Sequence, residues 1–314
     1  MNETLHESLP GTPPRDGARG AALARWRERG LPEPRDEFWR YAPLAGLERL
    51  KLTPPPSGAQ PAQNEHRGSA CIALPNFEWL NVRDGALPAL PPTWSTEPAE
   101  LPHDADPLVD ALIGNGFALL NAAYAPEVAT LQVPAASSVR WQVVYSNTTA
   151  GELGTVPTAL RIVLGPGSRA EIVEYHEGMS GMGSIGNHRV LIDVGRDAEL
   201  RLTRVLAPGC DARHFETLEL TLHAGAGCVS RTVFVGNTAA RSTVYAALRD
   251  AGAALDFATV MLGDATQRLD QHVLIDHIGA ATRSREVFRG LAAGRAQLGF
   301  TGHNRIQSTA RGSR

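Results

Sequence analysis

From about residue 131 to its end the chain alternates apolar and polar residues in short runs. These are VRWQVVYSN, TALRIVLG, AEIVEYHEG, HRVLIDVG, AELRLTRVL, TLELTLHAG, CVSRTVFVG, STVYAALRD, ALDFATVML, QHVLIDHIG, RSREVFRG and AQLGFTGHNRI. Period-two alternation closed by Gly, Asp or Asn predicts half-buried strands ended by turns. The turns resemble one another as well. GPGSRAEI, VGRDAEL, HAGAGCVS and RDAGAALD each place a small residue just before a strand, and Ala170, Ala198, Gly227, Ala254 and Ala281 recur at a spacing of about 28 residues. A repeat of that length predicts a right-handed parallel β-helix whose coils each hold several strands of roughly 4–6 residues. Inward columns would include Ile162, Val163, Val190, Ile192, Leu218, Leu220 and Val233. An aligned β-sandwich also gives closely spaced short strands, but it does not require the turn itself to repeat. No long helical pattern follows residue 120, which argues against a doubly wound α/β fold.

Upstream the texture is different. Residues 1–20 are polar and rich in Pro and Gly and predict a disordered N-terminus. A short amphipathic helix is predicted over 20–29, AALARWRERG, stopped by Gly30 and Pro32. LPEPRDEFWRYAPLAGLERLKL follows, dense in aromatics, with Trp26, Trp39 and Tyr41 expected to anchor this segment on the body. Residues 53–68 read as a Pro-rich linker, 70–94 as short strands and turns, 88–107 as a second Pro-rich stretch, and 107–120 as a helix. The expected organisation is a disordered N-terminus over 1–20, a helical and irregular region over 21–125, and the β-helix core over 126–314.

Composition narrows the chemistry. A net charge of −3 suggests neither a nucleic-acid nor an anionic-membrane surface. Lys51 is the sole lysine, which excludes a P-loop ending in Gly-Lys-Ser/Thr and a Schiff-base lysine elsewhere in the chain. Neither a secretory signal nor an apolar run long enough to span a bilayer is visible. Cys71, Cys210 and Cys228 stand far apart with no C-x-x-C pair, a pattern that fits a reducing cytoplasm.

The segment LPEPRDEFWRYAPLAGL resembles an N-terminal hallmark of the SufB/SufD family, on its SufD side. The matching positions are Leu31-Pro32, Arg35, Glu37, Trp39-Arg40-Tyr41, Pro43 and Leu44, with Ala42 where the family has threonine. NGFALLNAAYAPEVATLQVPAASSV resembles the stretch leading into the family's β-helix, and RIVLGPGSRAEIVEYHEG and NHRVLIDVGRDAELRLTRVL resemble successive coils. QHVLIDHIGAATRSREVFRGLAAGRAQLGFTGHNRI is similar to a later family stretch at Asp276-His277, Ser284, Gly290, Phe300, Gly302 and Ile306. The resemblance implies a cytoplasmic, non-catalytic scaffold subunit of the SufBCD iron–sulfur cluster assembly complex. Its partners would be SufB-like and SufC-like subunits, with ATP hydrolysis on SufC. It implies no intrinsic cofactor, an iron–sulfur cluster being assembled transiently on the complex. By the same resemblance this chain lacks an Asp-Asp-x-x-Cys-x-His-Gly segment and a C-terminal helical domain that relatives carry. The expected partner interface is Phe300, Gly302, His303, Asn304 and Ile306, with homo-oligomerisation expected when the chain is isolated.

Other chemistry finds little support. GMSGMGSIGNH over 178–188 lacks the lysine of a phosphate cradle and opens no helix, so it reads as a loop between coils. Ser180 and Ser184 fall in no Gly-x-Ser-x-Gly elbow. His176-Glu177 does not continue as His-Glu-x-x-His. His272 and His277 are an odd number of residues apart on one strand and should face opposite sides, while His303 is expected near His277 in the next coil. Cys228 reads as a buried hydrophobe. The pairs Asp193/Asp197 and Asp250/Asp256 read as turn residues rather than as a glycosidase pair. No catalytic, cofactor or metal residue is therefore assigned. A β-helical carbohydrate enzyme and a non-functional truncated relic are the alternatives.

Overall fold

The structure, a computed structural model, describes residues 17–42, 44, 47, 71–83, 94–97, 106–125, 128–147, 155–178, 185–207, 209, 212–236 and 239–314. The first 16 residues, the linker at 53–68, most of 88–107, residues 179–184 and Cys210 lie outside this set.

The repeating pattern folds as a parallel β-solenoid of two facing sheets. Its strands are β3 (Val128–Val133), β4 (Ser138–Asn147), β5 (Thr155–Leu164), β6 (Arg169–Gly178), β7 (Ile185–Val194), β8 (Glu199–Ala207), β9 (Arg213–Leu222), β10 (Gly227–Phe234), β11 (Ala239–Leu248), β12 (Ala254–Gly263), β13 (Arg268–His277), β14 (Arg283–Ala292) and β15 (Gln297–Ile306). Even-numbered strands line up as β4-β6-β8-β10-β12-β14, preceded by β1 (Glu78–Arg83), to form a seven-stranded sheet. Odd-numbered strands form the other, eight-stranded sheet, β15-β13-β11-β9-β7-β5-β3, whose last member β2 (Trp94–Glu97) pairs antiparallel with β3. Each coil thus contributes one strand to each sheet. The strands are long, mostly 10 residues, so the expectation of several strands of roughly 4–6 residues per coil is corrected: two long ones suffice.

Inward positions alternate with outward ones along every strand. Ile162, Val190, Ile192, Leu218 and Leu220 are fully buried between the sheets, as expected. Val163 and Val233 are only partly buried and occupy the outward rows, one residue out of phase with the core. On the outer faces, arginines pair with acids of the next coil: Arg140–Glu171 at 2.8 Å, Arg161–Asp193 at 3.1 Å, Arg189–Glu219 at 2.8 Å and Arg231–Asp256 at 3.1 Å.

The repeating turn has a physical reason. Ala136, Gly167, Asp197, Gly225, Gly252 and Ala281 all have positive φ, between 54° and 76°. Each donates its N–H to a carbonyl of the next coil's turn, as in Gly167 to Arg196 at 2.8 Å and Gly252 to Ala280 at 3.0 Å. A left-handed residue is needed once per coil, hence the glycines and small residues that recur there.

The N-terminal region forms a layer on the outer face of the eight-stranded sheet. Helix α1 (Gly17–Arg29) begins four residues inside the stretch assigned to the disordered terminus. The helix expected over 107–120 is two helices, α2 (Pro107–Ile113) and α3 (Gly116–Tyr124). The break falls at Gly114-Asn115, because the Asn115 side chain accepts from the N–H groups of Phe117 and Ala118 and so starts a new helix. Asn121 of α3 donates to the backbone oxygens of Thr158 and Asn187 at 2.9 and 2.8 Å, and Phe117 stacks on Phe215 of β9 with centroids 4.0 Å apart. Trp26 and Trp39 are buried in this layer, as anchors should be, whereas Tyr41 is 74% exposed and anchors nothing. Arg241 of β11 lies over the Trp39 ring at 4.6 Å, donates to the Phe38 oxygen at 2.7 Å and pairs with Asp270.

Candidate functional site

Two places in the solenoid carry exposed or polar groups that packing alone does not explain. The first is the last coil. Among the described residues β14 pairs only with β12 and β15 only with β13, so each presents one open edge. Inward-row side chains lose their cover here: Phe300 is half-buried against the core and Ile306 is 58% exposed. Phe288 and Phe300 stack across the interior at 4.6 Å. The tail after β15 is more engaged than a dangling end. Ala281 donates to the Arg311 oxygen at 2.8 Å, Ser284 to the Arg314 oxygen at 2.9 Å, and Ala310 is buried, so residues 307–314 continue the stacked turn and Arg314 pairs with the first residues of β14.

The expected interface residues divide between faces. Phe300, Gly302, Asn304 and Ile306 continue the inward row set by Gln271, Val273, Ile275 and His277. His303 points outward and stacks on His272 at 5.1 Å, beneath Phe38. It does not meet His277, because the two lie on opposite faces. His277 turns inward, with Nδ1 2.8 Å from Thr282 Oγ1 and Nε2 3.0 Å from Ser284 Oγ. Burial depresses its pKa.

The second place is deep inside. Near the C-terminal ends of β4, β6 and β8 and the N-terminal ends of β5, β7 and β9, the inward rows turn polar: Tyr145, Glu174, His176 and Arg204 face Thr158, His188, His214 and Glu216. All are buried. Arg204 donates Nε to Glu174 at 2.7 Å and its two terminal nitrogens to Glu216 at 2.8 and 2.7 Å. Burial lowers the pKa of the guanidinium, but the two carboxylates outweigh it and raise the pKa above its ordinary value. Burial also pushes Glu216 upward, yet Arg204 and His214 overcome this and hold it well below the carboxylate range. Glu174 is raised, by burial first. His176 and His188 are held well below the usual imidazole range by burial and by neighbouring cationic partners, so both are neutral.

The three imidazoles form one group. One ligand-capable nitrogen from each of His176, His188 and His214 lies within 4.8 Å of the others. His214 Nε2 bonds Glu216 at 3.0 Å and His188 Nδ1 bonds Thr158 Oγ1. Both nitrogens of His176, Nδ1 of His214, Oε1 of Glu174 and the Tyr145 hydroxyl have no hydrogen-bond partner.

Sequence reasoning missed this cluster. His176 entered it only as part of a failed zincin motif, His188 only as the end of a glycine-rich loop, and His214 not at all. Ile185–His188 are in fact the first residues of β7. The available signal was polar residues at inward positions of the same coil phase, Glu174-x-His176 against His188 and His214-x-Glu216.

Comparison with known proteins bears on both places. The family description "SUF system FeS cluster assembly, SufBD core domain" matches residues 146–314, which takes in most of the solenoid, the last coil and all of the polar interior group but Tyr145. The chain is similar to "Iron-sulfur cluster assembly protein SufD" of Escherichia coli (strain K12), 20% identical over 279 residues. That alignment covers 87% of this chain and 65% of the relative, so the chain spans about two thirds of the relative's length. The SufBD match extends over more than half of the chain, and with the repeating coils it shows that this protein belongs to the SufB/SufD family.

Proposed function

We propose that the chain is a scaffold subunit in iron–sulfur cluster assembly. It pairs with a SufB-like subunit through its last coil and works within a complex that includes a SufC-like subunit. The observation that supports this reading is the SufBD core-domain match over residues 146–314, with Phe300 and Ile306 of β15 less covered than the inward residues of the coils before them. A solenoid end of this kind accepts a further β-coil by continuing both ladders, each backbone group finding a partner at no steric cost. Phe300, Gly302, Asn304 and Ile306 would then be covered by the partner's first inward row, with the backbone of His303 in the ladder between them.

The subunit turns over no substrate and holds no cluster of its own; a cluster forms on the complex, in the cytoplasm. Thiolate supply supports this. Cys228 lies in the core and burial pushes its thiol up to about 12, far from the thiolate a cluster needs. Outer-face acids that a carbohydrate enzyme would use, Asp193 and Asp256 among them, are tied to arginines of adjacent coils.

Co-expression with the SufB-like and SufC-like subunits of the same genome tests the reading. Co-elution of all three on size exclusion is expected, with loss of the SufB-like partner on Phe300→Asp together with Ile306→Asp. Separate elution of the unmodified chain would overturn it.

A further inference from the structure

We propose that His176, His188 and His214 form an internal three-histidine site for one divalent first-row transition-metal ion of the zinc class. The site lies inside the solenoid, between the sheets and away from the edges invoked for partner binding, and it does not depend on that function.

Geometry carries the proposal. Three nitrogens mutually within 4.8 Å lie on a triangle whose centre is at most about 2.8 Å from each, against roughly 2.0–2.1 Å for a zinc–imidazole bond. Closing onto a metal therefore asks each ring to shift by less than about 1 Å, within reach of side-chain rotation. The rings are also oriented as metal-bound imidazoles are. His214 has its outer nitrogen on the Glu216 carboxylate at 3.0 Å and His188 has its outer nitrogen on Thr158, leaving Nδ1 and Nε2 respectively as the free ligand atoms. Those two atoms converge on one spot: a β-carbon placed on Gly186 would be 2.6 Å from His188 Nε2 and 3.4 Å from His214 Nδ1. Glycine at 186 keeps that space open.

Unsatisfied polar atoms point the same way. His176 is fully buried with neither nitrogen hydrogen-bonded, which disfavours the fold unless something else satisfies it. Glu174 lies beside it, with Oε2 3.8 Å from His176 Nε2 and held by Arg204. Three imidazoles suit zinc and its first-row neighbours over calcium or magnesium. The Glu174–Arg204–Glu216 triad supplies one cation against two acids, so the surroundings do not repel a dication.

The test uses the full chain without a histidine tag, stripped with a chelator under mild denaturation and refolded with cobalt(II) or zinc(II) alone. We expect one cobalt(II) per chain, the intense visible bands of a four-coordinate ion, a raised Tm, and X-ray absorption of the zinc form showing nitrogen and oxygen scatterers with three imidazoles. Gly186→Ala, which intrudes on the site without removing a ligand, should weaken binding at least tenfold. Either of two results in the unmodified chain overturns the proposal, whatever the variants do: a correctly folded chain with neither cobalt bands nor a metal-dependent Tm, or a zinc shell containing sulfur.

Discussion

Arg204 and Glu216 meet head-on across the interior of the solenoid. Two guanidinium nitrogens on one sheet bond both carboxylate oxygens of a residue on the other, at 2.8 and 2.7 Å. The pair is a polar clamp in an otherwise apolar core, and Glu174 completes it on the side of Arg204. A buried ion pair of this geometry is nearly neutral for stability as long as it is whole, and costly when half is removed.

Arg204→Met should therefore destabilise the fold by about 3–5 kcal/mol, since it leaves two buried carboxylates without their cation. Urea unfolding followed by far-UV circular dichroism measures this. Adding Glu174→Gln and Glu216→Gln to the same variant should restore much of the loss; a triple variant no more stable than the single one would show that the carboxylates were not the source.

The outer layer should respond to acid through His272. Burial under the N-terminal layer, then Arg241 and His303, lower its pKa to about 3. The unfolded chain takes up this proton near pH 6.5 and the folded chain does not until about pH 3, so the unfolded state binds more protons in between. Stability is thus full above pH 6.5 and is lost as pH falls through that window, by up to about 1.4 kcal/mol per pH unit. Thermal melts at pH 7.5 and 5 should differ accordingly, and the difference should shrink in His272→Phe. An unchanged pH dependence in that variant would assign the effect elsewhere.

The open last coil should make the isolated protein associate. Ile306 is 58% exposed and, with Phe300, is an apolar member of the inward row of β15. Sedimentation velocity should show a weight-average mass rising with concentration, and Ile306→Lys should suppress the rise with Tm little changed. A clean monomer at high concentration would mean that the edges are protected by something other than a partner.

Anaerobic reconstitution of the isolated chain with iron and sulfide should yield no stoichiometric cluster. Cys71 and Cys228 are both buried thiols, each with its pKa raised first by burial. A stable broad charge-transfer band that disappears in Cys228→Ala would contradict this, and would make the scaffold a cluster carrier in its own right.

Much of this architecture was legible in the chain itself. Period-two alternation marked nearly every strand from β4 onward, and the need for a left-handed residue once per coil, met at Gly167, Asp197, Gly225, Gly252 and Ala281, imposes the repeat in which Ala170, Ala198, Gly227 and Ala254 also recur. Both are local consequences of backbone sterics, so a one-dimensional pattern is enough to carry them. Local pattern was weaker where two signals competed: the helical run from 107 read as one helix because nothing in its periodicity revealed that Asn115 caps a second. Coil packing decided the rest. Val163 follows Ile162 directly, so alternation already sets the two on opposite faces, and packing between the coils decides that Val163 and Val233 are the outward ones. His176, His188 and His214 stand far apart in sequence and share no motif. They meet because successive coils stack at fixed phase while the two sheets face each other, so that residues a coil apart become neighbours and residues from opposite sheets come within bonding distance. No spacing rule within a single strand contains that information, since stacking and facing are properties of the closed coil and not of the chain.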